Sequence, residues 1–217
     1  MKRREFLTIP AHTLGGSLWY SLAGRPSLVS AQQKELRVPL RFFTAVEAQV
    51  VTAACDRIFP SDENGPGAKE AAVIIYIDRQ LAGPYGRDKY RYTKGPWRES
   101  VPEHGNQRPA SPRETYRQGL ALLGASFADQ TAEEQDRRLQ AIERTDFFQL
   151  LRTQTIEGMF CDPLHGGNAG MIGWQLIGFP GPVMTHHGQS ANGSKRPAPR
   201  SLEQITGRRV KGWEDEA

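Results

Sequence analysis

The stretch TAVEAQVVTAACDRIFP, from Thr44 to Pro60, contains the signals that decide the fold. Thr44 and Glu47 form a capping box, in which the threonine hydroxyl accepts the N–H of residue 47 and the glutamate reaches back to the N–H of residue 44. Apolar side chains recur at helical spacing after the box, at Val46, Val50, Ala54 and Ile58. Because proline cannot continue a helix, Pro60 ends it. The stretch therefore predicts an amphipathic helix that ends at about Phe59.

The same kinds of signal predict four further helices along the chain. The second covers about 68–82 and ends at Gly83-Pro84. Capping boxes at Ser111 and Thr131 begin the third and fourth helices. The third carries Tyr116, Leu120, Leu123 and Phe127, the fourth Leu139 and Ile142. The fifth covers about 146–160.

Few stretches alternate between apolar and polar residues with a period of two, so no strand is predicted. Five amphipathic helices can bury a common core against one another. We therefore expect an all-α fold, a small bundle of about five helices with long connecting loops and an extended C-terminal tail.

Composition excludes several classes of protein. The 217 residues include 28 Lys and Arg, 24 Asp and Glu and only two Cys. The apolar content is that of a globular chain, which excludes a disordered protein and a membrane bundle. Two cysteines are too few for a disulfide-dense scaffold or a four-cysteine zinc site.

The first residues predict an export signal. Arg3 and Arg4 are followed by Phe6 and Leu7, the pattern of a twin-arginine signal. A weakly apolar stretch and a small-residue site that ends at Ala31 follow in the order that a signal peptide requires. The alternative is a basic, disordered N-terminus. On the first interpretation the chain is periplasmic, with a signal peptide at 1–31, a helical domain at 32–181 and a polar tail at 182–217.

Removal of residues 1–31 would take away four basic side chains and one acidic side chain and lower the formal net charge from +4 to +1. A nearly neutral exported protein is not expected to bind nucleic acid.

Motifs that carry chemistry are missing from the sequence. It contains no Cys-x-x-Cys-His, His-Glu-x-x-His or Gly-x-Ser-x-Gly pattern and no Glu-x-x-His pair. Gly65-Pro66-Gly67 lacks the third glycine and the preceding strand of a dinucleotide-binding loop. His186-His187 has no third metal ligand placed by the sequence. We therefore predict no catalytic residue, no bound cofactor and no metal in this chain.

The segment Asp162–Gly181 combines turn residues with large apolar side chains. The turn residues are Asp162, Pro163, Gly166, Gly167 and Asn168, and the apolar side chains are Trp174, Ile177 and Phe179. Trp97 stands apart, in a long connection that mixes aromatic and basic residues. These residues are candidates for contacts with a partner chain, since aromatic residues are enriched at interfaces. The alternative is a loop that packs over the helix bundle.

Two blocks of this sequence resemble the gluconate 2-dehydrogenase subunit 3 family. The first runs from Ala53-Ala54-Cys55-Asp56-Arg57 to Gly83-Pro84 and the second from Glu157-Gly158-Met159-Phe160 to Pro180, so that the resemblance spans about 44–181. It implies a small, non-catalytic subunit of a periplasmic, membrane-associated sugar or sugar-acid dehydrogenase. FAD and the catalytic residues would belong to a flavoprotein large subunit, and a third subunit could carry haem c. Membrane association would come only through the complex.

The resemblance implies that the subunit supports twin-arginine export, maturation and stability of the large subunit. A free-standing periplasmic enzyme or ligand-binding protein, using Asp162, His165 or His186, is the alternative.

Cys55 and Cys161 leave two states open. In an oxidising compartment an even number of cysteines allows a disulfide between them. Alternatively, Cys55 is a buried free thiol among apolar neighbours.

Overall fold

The computed structural model describes residues 39–91, 94–97, 109–182 and 199–207. Contacts divide the chain into a unit of residues 1–39 and a compact unit of residues 40–217. The described residues form seven α-helices and no strand, which confirms the predicted all-α class. The helices are α1 (Ala45–Ile58), α2 (Val73–Ala82), α3 (Pro112–Leu123), α4 (Ala132–Ala141), α5 (Asp146–Phe160), α6 (Ile172–Ile177) and α7 (Leu202–Thr206). Among these residues, no helix is both long enough and apolar enough to cross a bilayer.

The predicted capping boxes are present at the starts of α1, α3 and α4. At α3, the Ser111 hydroxyl accepts the backbone N–H of Glu114, and the Glu114 carboxylate accepts the backbone N–H of Ser111 at 2.7 Å. Hydrogen bonds from the backbone and the hydroxyl of Ser111 lower the pKa of Glu114. Local sequence therefore fixes where these three helices begin, since each box satisfies N–H groups that the helix itself leaves free.

The predicted start of the second helix at Ala68 is wrong, because α2 begins five residues later. Ala72 has a positive φ of 54°, which breaks the helical path in front of Val73. The turn before it is held by distant partners: the Ala68 N–H donates to the Phe59 carbonyl, and the Ala71 carbonyl accepts the N–H of Ala169. Local bonds persist there, from the Ala71 N–H to the Gly67 carbonyl and from the Ala72 N–H to the Lys69 carbonyl, so these residues form a separate turn in front of α2.

The third predicted helix is also interrupted. It ends at Leu123, where Gly124 has a positive φ of 74°, and a separate 3₁₀ turn covers Ala125–Asp129. Phe127 in that turn is fully buried, as its place on the predicted apolar face required. The fifth helix has the predicted bounds.

Helix α5 is central to the bundle and contacts α1, α2, α3 and α6. Tyr116 on α3 is fully buried and donates its hydroxyl to the Gln154 side chain on α5 at 2.7 Å. Its ring packs edge-on against Phe147 at a centroid distance of 5.4 Å. The one hydroxyl and the one amide inside this contact satisfy each other, as buried polar groups must.

A buried carboxylate fastens the beginning of the compact unit. Asp78 on α2 is 2% exposed and accepts three backbone N–H groups, from Arg41 at 2.8 Å, Phe42 at 2.9 Å and Phe43 at 3.0 Å. Phe43 then enters the core beside Tyr116. The residues that lead into α1 are therefore held against α2 by one side chain.

Candidate functional site

The segment that follows α5 is built around two polar side chains. Asp162 caps a short 3₁₀ turn, Pro163–His165, by accepting the Leu164 N–H at 3.1 Å. Its second oxygen accepts the Leu202 N–H at 2.7 Å, which joins α7 to the same point. The predicted C-terminal tail thus contains a short helix that contacts the predicted partner segment.

Asn168 is fully buried and holds the turn together. Its side-chain amide donates to the Cys161 carbonyl at 2.8 Å, and its oxygen accepts the Gly173 N–H at 2.8 Å. The residue has a positive φ of 48°, a conformation in which asparagine is enriched among non-glycine residues. Asn168 is therefore an internal brace and not a contact for a partner.

Two glycines of this segment, Gly167 and Gly173, lie against α5. A Cβ atom on Gly167 would lie 2.2 Å from the Gly158 carbonyl oxygen, and one on Gly173 would lie 1.9 Å from the Met159 carbonyl oxygen. Sequence analysis predicted a close backbone approach, which the structure contains. The neighbour is this chain's own helix, so these two glycines are explained without a partner.

Trp174 is an internal residue, which corrects the prediction that it anchors a partner. Its side chain is 3% exposed, and its indole N–H donates to the Phe160 carbonyl at 2.7 Å. The ring packs edge-on against Phe179 at a centroid distance of 5.1 Å. Trp174 therefore fixes α6 onto the end of α5.

Three of the predicted contact residues are exposed, and two of them belong to the 162–181 segment. Ile177 is 58% exposed and Phe179 is 40% exposed, directly beside the buried Trp174 ring. Asp162, Pro163 and Gly166 are half-buried. Trp97 is 37% exposed, and none of the aromatic ring pairs among the described residues joins it to the 162–181 segment. We call Ile177 and Phe179 the apolar patch.

An open cleft of about 520 Å³ lies beside this segment. Helix α2 and the end of α5 form two walls, and the 3₁₀ turn forms the third. The Tyr76 hydroxyl donates to the Glu157 carboxylate at 2.9 Å across the cleft. The lining residues are Tyr76, Gln80, Ile156, Glu157, Phe160, Cys161, Asp162 and His165.

The titratable side chains that line the cleft differ in the chemistry they can support. Burial and the charge of Glu157 raise the pKa of the Tyr76 phenol, which therefore remains a neutral hydrogen-bond donor. Burial raises the pKa of the Cys161 thiol to about 11, so the thiolate that nucleophilic chemistry needs is scarce at neutral pH. The Nδ1 atom of His165 is buried and has no hydrogen-bond partner. The cleft thus offers hydrogen-bonding groups and a carboxylate, without an activated nucleophile.

The chain matches a known protein family. The model of the family described as Gluconate 2-dehydrogenase subunit 3 matches residues 45–181, which is more than half of the chain. The chain belongs to the gluconate 2-dehydrogenase subunit 3 family. The same comparisons found no matching curated protein and no matching solved structure.

The match confirms the resemblance that the sequence motifs indicated. In this subunit 3 protein the matched range begins with the first residue of α1 and ends just beyond α6. It therefore includes the bundle, the apolar patch and the cleft, while α7 lies outside it.

Both cysteines are free thiols in the structure. Cys55 is buried on α1 and its sulfur accepts the Thr155 hydroxyl at 3.3 Å, while the Cys161 thiol donates to the Gly158 carbonyl at 3.6 Å. Each sulfur thus faces its own partner on α5. The structure contains the free-thiol alternative and not the disulfide.

Sequence analysis missed the Tyr76–Glu157 pair. The two residues are 81 positions apart, and neither belongs to a recognisable motif. In the described part of the chain, no three His, Cys, Asp or Glu side chains are grouped to hold a metal ion. Arg3, Arg4, Phe6 and Leu7 of the predicted signal, and the His186-His187 pair, lie outside the described residues.

Proposed function

We propose that this subunit 3 family member is the non-catalytic small subunit of a periplasmic FAD-dependent sugar or sugar-acid dehydrogenase. It binds the flavoprotein large subunit and supports its twin-arginine export, maturation and stability. FAD is carried by the large subunit, and a third subunit with haem c completes the path for electrons. Family membership and the missing catalytic motifs support this assignment.

The apolar patch is the single observation that carries the proposal. Ile177 and Phe179 expose two large apolar side chains, only two residues apart. Trp174 and Asn168 hold them on a rigid base, so little conformational entropy is lost when a partner covers them. Exposed apolar groups set next to one another on a rigid scaffold are typical of interaction sites.

The paired arginines near the N-terminus support the export part of the proposal. A twin-arginine signal on this chain, together with a partner that needs its flavin before export, explains why the two chains would travel as one complex. Membrane association of this chain then follows from the complex.

Co-expression with the flavoprotein large subunit tests the proposal. We expect affinity-tagged wild-type chain to retain a yellow, FAD-containing partner from the periplasmic fraction. Ile177→Asp should reduce that recovery by about tenfold or more, since a charge placed in an apolar contact must be desolvated. Leu122→Asp is the matched control, because Leu122 is a similarly exposed side chain, at 54%, on α3.

A wild-type chain that is monomeric, retains no flavoprotein and binds a sugar or metal by itself would contradict the proposal. That result would support the alternative, a free-standing periplasmic enzyme or ligand-binding protein. Equal losses for both variants would show that the patch has no special role.

A further inference from the structure

We infer that the cleft between α2 and the end of α5 binds an arginine side chain of the flavoprotein large subunit, with Glu157 as its charge partner. This inference rests on the proposed function and names a specific contact within it.

The charge of Glu157 is the first observation. Its carboxylate lies at the exposed mouth of the cleft and accepts one hydrogen bond from the Tyr76 hydroxyl. No cation among the described residues forms an ion pair with it. The second carboxylate, Asp162, is occupied by the backbone N–H groups of Leu164 and Leu202. Arg79, on the neighbouring turn of α2, donates to the Leu164 carbonyl at 3.2 Å and does not line the cleft.

The other side chains that line the cleft favour a guanidinium group over an ammonium group as the bound cation. The aromatic rings of Phe160 and Tyr76 line the cleft, with Phe160 the more exposed of the two, and a planar cation can pack against such rings. Arginine presents several N–H donors in one plane, which match the two oxygens of a carboxylate such as that of Glu157. A lysine ammonium has no planar surface to match the rings.

The position of the cleft favours a protein partner over a small cation. Small ligands are bound by sites that bury most of their surface, whereas Glu157 and Ile156 leave this cleft open. Phe160 lines the cleft and also accepts the indole N–H of Trp174, which supports the apolar patch. Trp174 therefore links a residue of the cleft wall, Phe160, to a residue of the apolar patch, Phe179, and one partner surface can contact both. Tyrosine and arginine side chains that fill a pocket at an interface are typical of binding hot spots.

The test compares the affinity of three variants for the purified large subunit. Glu157→Gln keeps the side-chain shape and still accepts the Tyr76 hydroxyl, but it removes the charge. We expect its dissociation constant to rise by about tenfold or more, with a weaker dependence on salt concentration than that of the wild type. Glu143→Gln is the matched control, an exposed glutamate beyond the opposite end of α5, and it should change affinity by less than about twofold.

A third variant separates charge from folding. Tyr76→Phe removes the hydrogen bond to Glu157 and keeps the charge, so its affinity should stay within about threefold of the wild type. Melting of each isolated variant shows whether any loss follows from instability. If Tyr76→Phe and Glu157→Gln lower affinity equally, the pair is structural and the charge assignment is wrong.

The outcomes separate this inference from the proposed function. If the wild type binds the flavoprotein and Glu157→Gln binds it as tightly, only the cleft assignment is wrong. If the wild type binds no flavoprotein, both are overturned. Titration of the isolated chain with L-arginine amide tests the other occupant: tight binding that Glu157→Gln abolishes, without an effect on the complex, would assign the cleft to a small cation.

Discussion

The indole N–H of Trp174 donates to the backbone carbonyl of Phe160 at 2.7 Å, and this bond joins the segment that carries the apolar patch to the end of the central helix. Phe160 is the last residue of α5, where carbonyl groups lack partners within the helix. A side chain predicted to be a partner contact thus closes the C-terminal end of the helix.

Trp174→Ala should therefore destabilise the isolated chain by about 3–5 kcal/mol, since it removes a large buried aromatic ring. Trp174→Phe retains most of the packing but loses the bond to Phe160, which should cost about 1 kcal/mol. Urea unfolding followed by circular dichroism measures both. Ile177→Ala is the control, and it should change stability by less than about 0.5 kcal/mol because Ile177 is exposed. A Trp174→Ala chain as stable as the wild type would contradict the internal role.

Asp78→Ala should be among the most destabilising substitutions in the chain. It leaves three N–H groups, of Arg41, Phe42 and Phe43, without their acceptor, and each unsatisfied buried group costs about 1–3 kcal/mol. Some of them will find water at the edge of the bundle, so we expect a total of at least about 3 kcal/mol.

Hydrogen exchange provides the specific readout for Asp78. The amides of residues 41–43 should lose protection in Asp78→Ala, while those of α4 keep theirs. The control is Asp129→Ala at an exposed position, which should be nearly neutral. Unchanged protection of residues 41–43 would contradict the assignment of Asp78 as the acceptor that holds their N–H groups.

Thiol labelling should find two free cysteines with different accessibility. Cys55 is 1% exposed and Cys161 is half-buried, so iodoacetamide should modify Cys161 slowly and leave Cys55 unmodified in the native protein at pH 8. Both should react after denaturation without a reductant. Mass spectrometry counts the labels, and a denatured chain that accepts none would establish the disulfide instead.

Alkaline pH should weaken the fold through Cys55. Burial raises the pKa of its thiol from 9.0 to about 12, so the thiol stays protonated in the folded state while it ionises in the unfolded state. The stability that this group contributes is complete below about pH 9 and is lost as the pH rises towards 12. The expected slope from this one group approaches about 1.4 kcal/mol per pH unit.

Cys55→Ser isolates this contribution, because serine retains a partner for Thr155 and does not titrate in this range. The buried tyrosines contribute equally to both proteins. Urea unfolding between pH 8 and 10.5 should therefore give a shallower decline for the variant; parallel curves would contradict the prediction.

Export provides a test of the N-terminal signal. Replacing Arg3 and Arg4 by lysine should leave this chain, and with it the co-expressed flavoprotein, in the cytoplasm. Fractionation followed by dehydrogenase assay of each fraction measures the distribution. The control is replacement of Lys2 by arginine, which keeps the pair intact and should leave export unchanged. Normal periplasmic activity in the double-lysine variant would contradict shared export.

The sequence by itself determined where a helix begins when the hydrogen bonds that cap it involve neighbouring residues. Thr44, Ser111 and Thr131 specify their helix starts because the capping partner lies three residues away. The bounds of α5 also follow from local sequence. Periodicity correctly placed Val50 and Ala54 on the buried face of α1 but was wrong for Val46, which is 50% exposed. Family membership is sequence information of the same kind, since it depends on ordered blocks of residues.

Only the tertiary structure decided which neighbours the glycine, asparagine and tryptophan residues after α5 contact. Glycine, asparagine and tryptophan between residues 166 and 174 are equally suited to approach a partner or to approach α5, and sequence cannot distinguish the two neighbours. The Ala71 carbonyl meets the N–H of Ala169, which is why α2 begins at Val73 and not at Ala68. Tyr76 and Glu157 meet for the same reason: hydrogen bonds between distant segments depend on how helices pack, and no local pattern of residues records that packing.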